Sequence, residues 1–195
     1  SGTHIEFEGE KLFELLLTKE QIGHILAVLR KHQIPMVLEG PNYIYVDEKD
    51  FVDDPYVIYL RNELGENLKS ITGTAQYEVN KLSAELGNAD VELVRKELGT
   101  EFDMIVHEPD GILEIGQAGH SKASGIERLC ESLGIAKEDT YAFGDSPNDV
   151  EMLEFVAHGI AMGNGTDVAK NAAEFVTTDI HKDGIWNGLK HYGPI

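Results

Sequence analysis

Near the start of the chain, Ile5 and Phe7 alternate with acidic residues, Glu8-Gly9 offers a turn, and Leu12 to Leu17 returns. This pattern predicts a β-hairpin over residues 3–17. Thr18-Lys19-Glu20-Gln21 then has the form of a capping box. Behind it, Ile22, Ile25, Leu26 and Leu29 fall on one face of a helix. Met36 to Leu38 and Tyr43 to Val46 read as strands joined by Gly40-Pro41-Asn42. Asp54-Pro55 opens a second helix, with an N-cap followed by proline at the first helical position, and Gly65 stops it. Asn80 to Leu86 predicts a strand, Asp90 to Leu98 a helix closed by Gly99, Phe102 to Val106 a strand, and Pro109-Asp110-Gly111 a turn.

Beyond that turn the pattern becomes a regular alternation. Ile112 to Ile115 is a strand, and a Gly-rich loop follows it. The next helix carries Ile126, Leu129, Cys130 and Leu133 on its expected buried face, with Gly134 as its stop. Thr140 to Phe143 is a short apolar strand running into Gly144-Asp145. A helix from about Asn148, a strand Gly159 to Met162, a helix Asp167 to Ala173 and a strand Phe175 to Thr177 complete the series. Strands alternating with helices imply a doubly wound parallel α/β sheet. The earlier segment, with its paired strands, reads as a separate α+β module. Trp186, Tyr192 and the tail are expected to pack the last helix.

The chain has 195 residues, 42 % hydrophobic and 26 % charged, enough for a real core in one or two domains. The formal net charge of −19 argues against nucleic acid or an anionic membrane as the main partner, since both repel a polyanion. It fits a solubility bias, or carboxylates gathered around a divalent cation. The one cysteine, Cys130, allows no intrachain disulfide and is expected in the core, which fits a reducing cytoplasm. No apolar run is long enough to span a bilayer as a helix. The eight histidines show no HxH or HExxH spacing, so zinc is not expected.

Candidate chemistry centres on Phe143-Gly144-Asp145-Ser146-Pro147-Asn148-Asp149. An apolar strand delivers a glycine and a carboxylate at its C-terminal end, where open α/β sheets place ligands. Asp145, Asn148 and Asp149 can converge there, and hard oxygen ligands suit Mg²⁺. The same spacing also suits a simple strand-to-helix turn with Asp as N-cap. Lys122 lies where the Gly116 to His120 loop enters a helix, and could reach an anion held by backbone amides. Taken alone, it could equally be a solvated lysine.

Together these residues carry a resemblance. Gly119-His120-Ser121-Lys122 followed by Gly144-Asp145-Ser146-Pro147-Asn148-Asp149 is similar to the third and fourth motifs of haloacid dehalogenase-superfamily phosphatases. Gly159-Ile160-Ala161-Met162-Gly163-Asn164-Gly165 resembles the "GVAMGNA" run of the Cof-like branch, and Asp183-Gly184-Ile185 its closing "DGV". The resemblance implies a Rossmann-like α/β core, partial here, with an inserted α/β cap of the C2B type. Residues 1–17 would be a hairpin of the core leading to the cap, 18–111 the cap, and 112–195 the C-terminal half of the core. The cap would hinge on linkers near Leu17 and Asp110-Gly111.

The resemblance also implies roles. Asp145 would be a Mg²⁺ ligand, and Asp149 a second acid steadying metal-bound water. Asn148 would contact the phosphoryl group. Lys122 would pair with the nucleophile and the transferring phosphoryl group. The implied activity is Mg²⁺-dependent hydrolysis of small sugar- or nucleotide-type phosphate monoesters in the cytoplasm. The family's first motif, an Asp-x-Asp-Gly-Thr run bearing the nucleophile, is not found in the 195 residues, and neither is a candidate for the second motif. The chain is therefore expected to begin after both, to be inactive alone, and to self-associate through an incomplete core. Two alternatives stay open: a non-catalytic binder of a phosphorylated ligand or partner with the same fold, and the phosphorylation domain of a cation-pumping ATPase, which also carries a Gly-Asp-x-x-Asn-Asp run.

Overall fold

A computed structural model of the chain describes residues 1–47, 51–71, 77–107 and 111–193. Two compact units emerge: one from Ser1–Glu14 with His120–Ile195, the other from Leu15–Gly119. Among the described residues, no helix is long and apolar enough to cross a membrane.

The chain begins with an antiparallel hairpin of β1 (His4–Phe7) and β2 (Glu10–Glu14), as the alternation predicts. Its turn residues Glu8 and Gly9 both have positive φ, 52° and 82°, which suits the twist of a two-residue hairpin turn.

The Leu15–Gly119 unit is built from α1 (Lys19–Lys31), β3 (Met36–Glu39), β4 (Ile44–Val46), α2 (Pro55–Leu64), β5 (Leu68–Ser70), β6 (Lys81–Glu85), α3 (Val91–Leu98), β7 (Phe102–His107) and β8 (Ile112–Gln117). Thr18 and Gln21 form the expected capping box on α1, and Asp54 and Asp90 cap α2 and α3. The sheet order is β5-β4-β3-β6-β8-β7, antiparallel except for the β4–β5 pair. One face of the sheet packs Met36, Leu38, Leu82, Leu113 and Ile115 against Ile22, Ile25 and Leu29 of α1 and Val94 and Leu98 of α3. On the other face, Val57 of α2 covers Val37 and Val46. Elsewhere in the unit a polar network links strands: Lys81 lies 3.3 Å from both Glu39 and Glu114, and His107 lies 3.1 Å from Glu114.

Two readings of this region change. β8 does not open the alternating core, because it pairs antiparallel with β6 and β7 and its Leu113 and Ile115 are fully buried in this unit. The unit therefore runs from Leu15 to Gly119, not from 18 to 111. A two-residue period identifies a strand but not the sheet that accepts it. β5 was not anticipated, since three residues are too few to show a period. The turn expected at Pro109-Asp110 falls on residues outside those described.

In the other unit, α4 (Lys122–Leu133), β9 (Tyr141–Gly144), a 3₁₀ turn (Pro147–Asp149), α5 (Val150–Phe155), β10 (His158–Ala161), α6 (Asp167–Ala172), β11 (Phe175–Val176) and α7 (Gly184–Tyr192) follow in order. Strands β9, β10 and β11 form a parallel sheet with β10 in the middle, the predicted α/β arrangement. Ile160 and Ala161 are fully buried. Gly188 lets α7 lie directly on the sheet, for a Cβ there would come within 2.6 Å of the Phe143 ring.

Burial departs from the helical pattern at two places. Ala123 and Gly125 are the buried residues of α4, while Ile126, Leu129, Cys130 and Leu133 are only half-buried. Ile126 and Leu129 line an open groove of about 330 Å³ with Gly2, Ile5 and Met152. Trp186 is 52 % exposed, with the Lys190 ammonium 4.6 Å from its ring, whereas Tyr192 packs on His158.

Candidate active site

Three segments of the Ser1–Glu14/His120–Ile195 unit meet at the C-terminal end of its parallel sheet. The first is the N-terminus of α4. Ser121 caps this helix through a reciprocal box with Ser124. Arg128 reaches back one turn to the Ser124 carbonyl at 3.2 Å and hydroxyl at 3.1 Å, with its guanidinium 4.4 Å above the Phe13 ring. Lys122, the first residue of the helix, is thereby held on a braced turn.

The second segment leaves β9. Gly144 ends the strand, and a Cβ there would meet the Asp149 Cβ at 2.6 Å. Only glycine leaves room for the Asp149 side chain to fold back over the strand end. Asp149 is 4 % exposed and its oxygens are fully engaged. Oδ1 accepts from Lys122 Nζ at 2.5 Å. Oδ2 accepts from the Asp145 amide at 2.9 Å, the Ser146 amide at 3.1 Å and the Ser146 hydroxyl at 3.3 Å. Burial pushes this carboxyl up, but the hydrogen bonds from Lys122 and the Asp145 amide outweigh it and hold it below its ordinary value of 3.8. Asn148 Oδ1 accepts from Lys122 Nζ at 3.2 Å and from Ser146 Oγ at 2.7 Å. The Asp145 carboxylate differs from these. It is exposed, and it makes no hydrogen bond or ion pair among the described residues.

The third segment is the turn after β10. Thr166 donates its amide (2.8 Å) and its hydroxyl (3.2 Å) to the Asp145 carbonyl. Gly165 lies so close that a Cβ would be 2.9 Å from the Asp145 Cα.

The four sequence-predicted residues Lys122, Asp145, Asn148 and Asp149 thus gather at one place, but with a particular division. Lys122 ends on Asp149 and Asn148, and meets Asp145 only through Asp149, whose other oxygen holds the Asp145 amide. Ser146 and Thr166 were not singled out from sequence. Ser146 lies inside the 145–149 run, and a hydroxyl two residues before Asn148 was the available signal. Thr166 lies 21 residues from Asp145 and carries no local sign of the contact.

The donor set suits a hard cation. A single unengaged carboxylate at a strand end, with a buried neighbour already neutralised by a lysine, fits an ion such as Mg²⁺ that takes one or two carboxylates and keeps several waters. It does not fit a caged metal, since no group of three or more His, Cys, Asp or Glu side chains able to hold an ion occurs among the described residues.

Comparison with known proteins shows the family. YkrA of Bacillus subtilis (strain 168) is 43 % identical over 211 aligned positions, covering 99 % of this chain and 74 % of that protein. The 5-amino-6-(5-phospho-D-ribitylamino)uracil phosphatase YitU of the same organism is 36 % identical over 68 % of this chain. The matched stretch spans about half of YitU, 47 % of its length. A crystal structure of a Geobacillus kaustophilus HTA426 protein superposes with a TM-score of 0.78 at 31 % identity, covering 100 % of this chain and 75 % of that one. The sequence model of the haloacid dehalogenase-like hydrolases matches residues 1–189. The chain belongs to the haloacid dehalogenase-like hydrolases.

Proposed function

We propose that the complete protein is a Mg²⁺-dependent phosphatase of small phosphorylated metabolites, of the sugar- or nucleotide-phosphate type. The observation that carries this reading is the convergence of Lys122 with Asn148 and Asp149 beside an unengaged Asp145, across 26 and 27 residues of chain. Phosphoryl transfer asks the protein mainly for placement and for neutralisation of several negative oxygens. YitU, a relative named for a phosphorylated ribityl compound, supports a small polyhydroxylated phosphate ester as the substrate class.

Each group has a distinct part in this reading. Asp145 offers its carboxylate to Mg²⁺, which when bound supplies positive charge to the phosphoryl oxygens. Lys122 sets a second positive charge at the same strand end, aimed by its bonds to Asp149 and Asn148. Asp149 keeps both oxygens engaged and so orients Lys122 and the Asp145 backbone without ligating the metal directly. Asn148 turns its carboxamide oxygen toward Lys122 and Ser146, and in this reading it is a polar contact to the phosphoryl group. In this reading the nucleophile and general acid come from an Asp-x-Asp-Gly-Thr run, which does not occur in these 195 residues. Its first aspartate would attack phosphorus in line as the ester P–O bond breaks, its second would protonate the departing alcohol, and water would then hydrolyse the aspartyl-phosphate to the free carboxylate and inorganic phosphate.

The test is phosphate release by the complete protein from a panel of sugar, ribityl and nucleoside monophosphates, with and without Mg²⁺. Asp145→Asn and Lys122→Ala should each lower kcat by about 10²–10³-fold, the usual cost of removing one charge-stabilising group. Hydrolysis that persists in EDTA, or is unchanged in Asp145→Asn, would refute the reading.

A further inference from the structure

The position of Asp145 is fixed by more than the strand that precedes it. Its carbonyl accepts two hydrogen bonds from one residue, the Thr166 amide at 2.8 Å and the Thr166 hydroxyl at 3.2 Å. The same hydroxyl accepts from the Ala169 amide at 3.4 Å, so it also caps α6. Thr166 therefore ties the start of α6 to the main chain of Asp145. Gly165 completes the grip from the side: a Cβ at this position would be 2.9 Å from the Asp145 Cα, 3.0 Å from its carbonyl oxygen and 3.0 Å from the Met162 carbonyl oxygen.

The turn that does this is itself anchored from behind. Met162 N–H donates to the Gly144 carbonyl at 2.9 Å, Gly163 N–H to Thr178 at 3.1 Å, and Gly165 N–H back to Met162 at 2.8 Å. Asn164 Oδ1 accepts from the Ile180 amide at 2.9 Å. A Cβ at Gly163 would lie 2.7 Å from the backbone of Thr178 and Asp179, so this side is packed as closely as the other. The segment 162–166 is thus wedged between Asp145 and residues 178–180. An exposed carboxylate on an unsupported strand end would sample many directions. One whose backbone is bonded on the amide side by Asp149 and on the carbonyl side by Thr166 has its Cα–Cβ direction fixed, which narrows the directions the carboxylate can take.

We infer that Gly165 and Thr166 form a backbone clamp on Asp145, and that Thr166 is a positioning residue for divalent-cation binding by the Asp145 carboxylate. The inference rests on the metal role given to Asp145 above, and it concerns the direction in which that carboxylate is presented. Partners that orient a metal ligand without touching the metal commonly carry about a 10–100-fold effect on affinity. Thr166 acts through the carbonyl of the ligand residue, so the effect belongs at the lower end, about 10-fold.

The experiment is Mn²⁺ binding to the 195-residue chain, read by the loss of the free-ion electron paramagnetic resonance signal, with no substrate and no turnover. Wild type, Asp145→Asn, Thr166→Val, Thr166→Ser and Gly165→Ala are compared, each at a temperature where circular dichroism shows it folded. Thr166→Val removes the hydroxyl bond at nearly constant volume and should weaken Mn²⁺ binding about 10-fold. Thr166→Ser keeps the donor and should restore wild-type affinity. Gly165→Ala leaves the cap of α6 intact but drives a methyl group into the Asp145 backbone, and should weaken binding as well. Tight binding by Thr166→Val and Gly165→Ala, alongside a loss in Asp145→Asn, would overturn the clamp and leave the metal site standing. Equal binding by wild type and Asp145→Asn would overturn the metal site itself, and the clamp with it.

Discussion

Asp149 shows how one buried carboxylate can hold several neighbours at once. Its charge is offset by Lys122 at 2.5 Å, and its second oxygen gathers the amides of Asp145 and Ser146. Because these donors hold its folded value below the ordinary 3.8, Asp149 adds stability that is fully present above that pH. The contribution drains away as pH falls below 3.8 through the folded value. Thermal melts of wild type and Asp149→Asn should therefore differ by a constant margin from about pH 5 upward and converge under more acid conditions. A margin that widens below pH 3.8 would contradict the assignment. At this scale much was legible beforehand. Lys122, Asp145, Asn148 and Asp149 stand out as residue types at suggestive spacings. The engagement of Asp149 with Lys122, rather than a direct meeting of Lys122 with Asp145, needed coordinates, because side chains four residues apart after a strand can turn in several directions.

Among the elements, those with chemical punctuation were readable almost to the residue. Thr18 caps α1 and receives the Gln21 amide at 3.1 Å, while the Thr18 amide donates to Gln21 Oε1 at 2.9 Å. The face of α1 carrying Ile25 and Leu29 is fully buried against the sheet. Thr18→Ala should lower the stability of the Leu15–Gly119 unit by about 1 kcal/mol, with Thr18→Ser close to wild type. Urea unfolding followed by circular dichroism measures this; an unchanged midpoint in Thr18→Ala would show that the cap is energetically idle. α4 was harder to read. Its apolar stripe predicts a buried face, but Ile126 and Leu129 border an open groove while the small residues Ala123 and Gly125 are covered. Gly125 is in fact the close-contact point: a Cβ there would sit 2.7 Å from the Gly2 Cα, so helix and N-terminal segment touch backbone to backbone.

For the molecule as a whole, two compact units divide the chain, and the candidate site residues all belong to the Ser1–Glu14/His120–Ile195 unit. In the proposed reading none of Lys122, Asp145, Asn148 or Asp149 serves as the nucleophile. Lys122 is engaged as a cation, Asp149 is saturated with donors, and Asp145 is assigned to metal. On that reading, a polypeptide of these 195 residues should release no phosphate from an aryl phosphate with Mg²⁺, while one that also carries an Asp-x-Asp-Gly-Thr run should do so. Turnover by a sample of mass 21.6 kDa would demand a different nucleophile. Among the described residues, β9 lies at the edge of its sheet and pairs with β10 alone, and an edge strand can template pairing with another chain. Sedimentation velocity of the same polypeptide should show concentration-dependent self-association; a monomer at all concentrations would count against that edge being sticky.

Sequence alone determined the elements and their ends. Caps at Thr18, Asp54 and Asp90, stops at Gly65, Gly99 and Gly134, and the strand-to-turn run through Asp145 are satisfied by groups within a few residues, so local chemistry specifies them. It also determined the family, because several short motifs fall in a fixed order at fixed distances. Tertiary structure alone decided which sheet receives Ile112–Gln117, since an alternating strand pairs equally well in either until its neighbours are in place. It decided too that Thr166 holds Asp145 across 21 residues. A single hydrogen bond to a distant carbonyl imposes no period and no composition on the chain, so only the assembled backbone brings its two ends together.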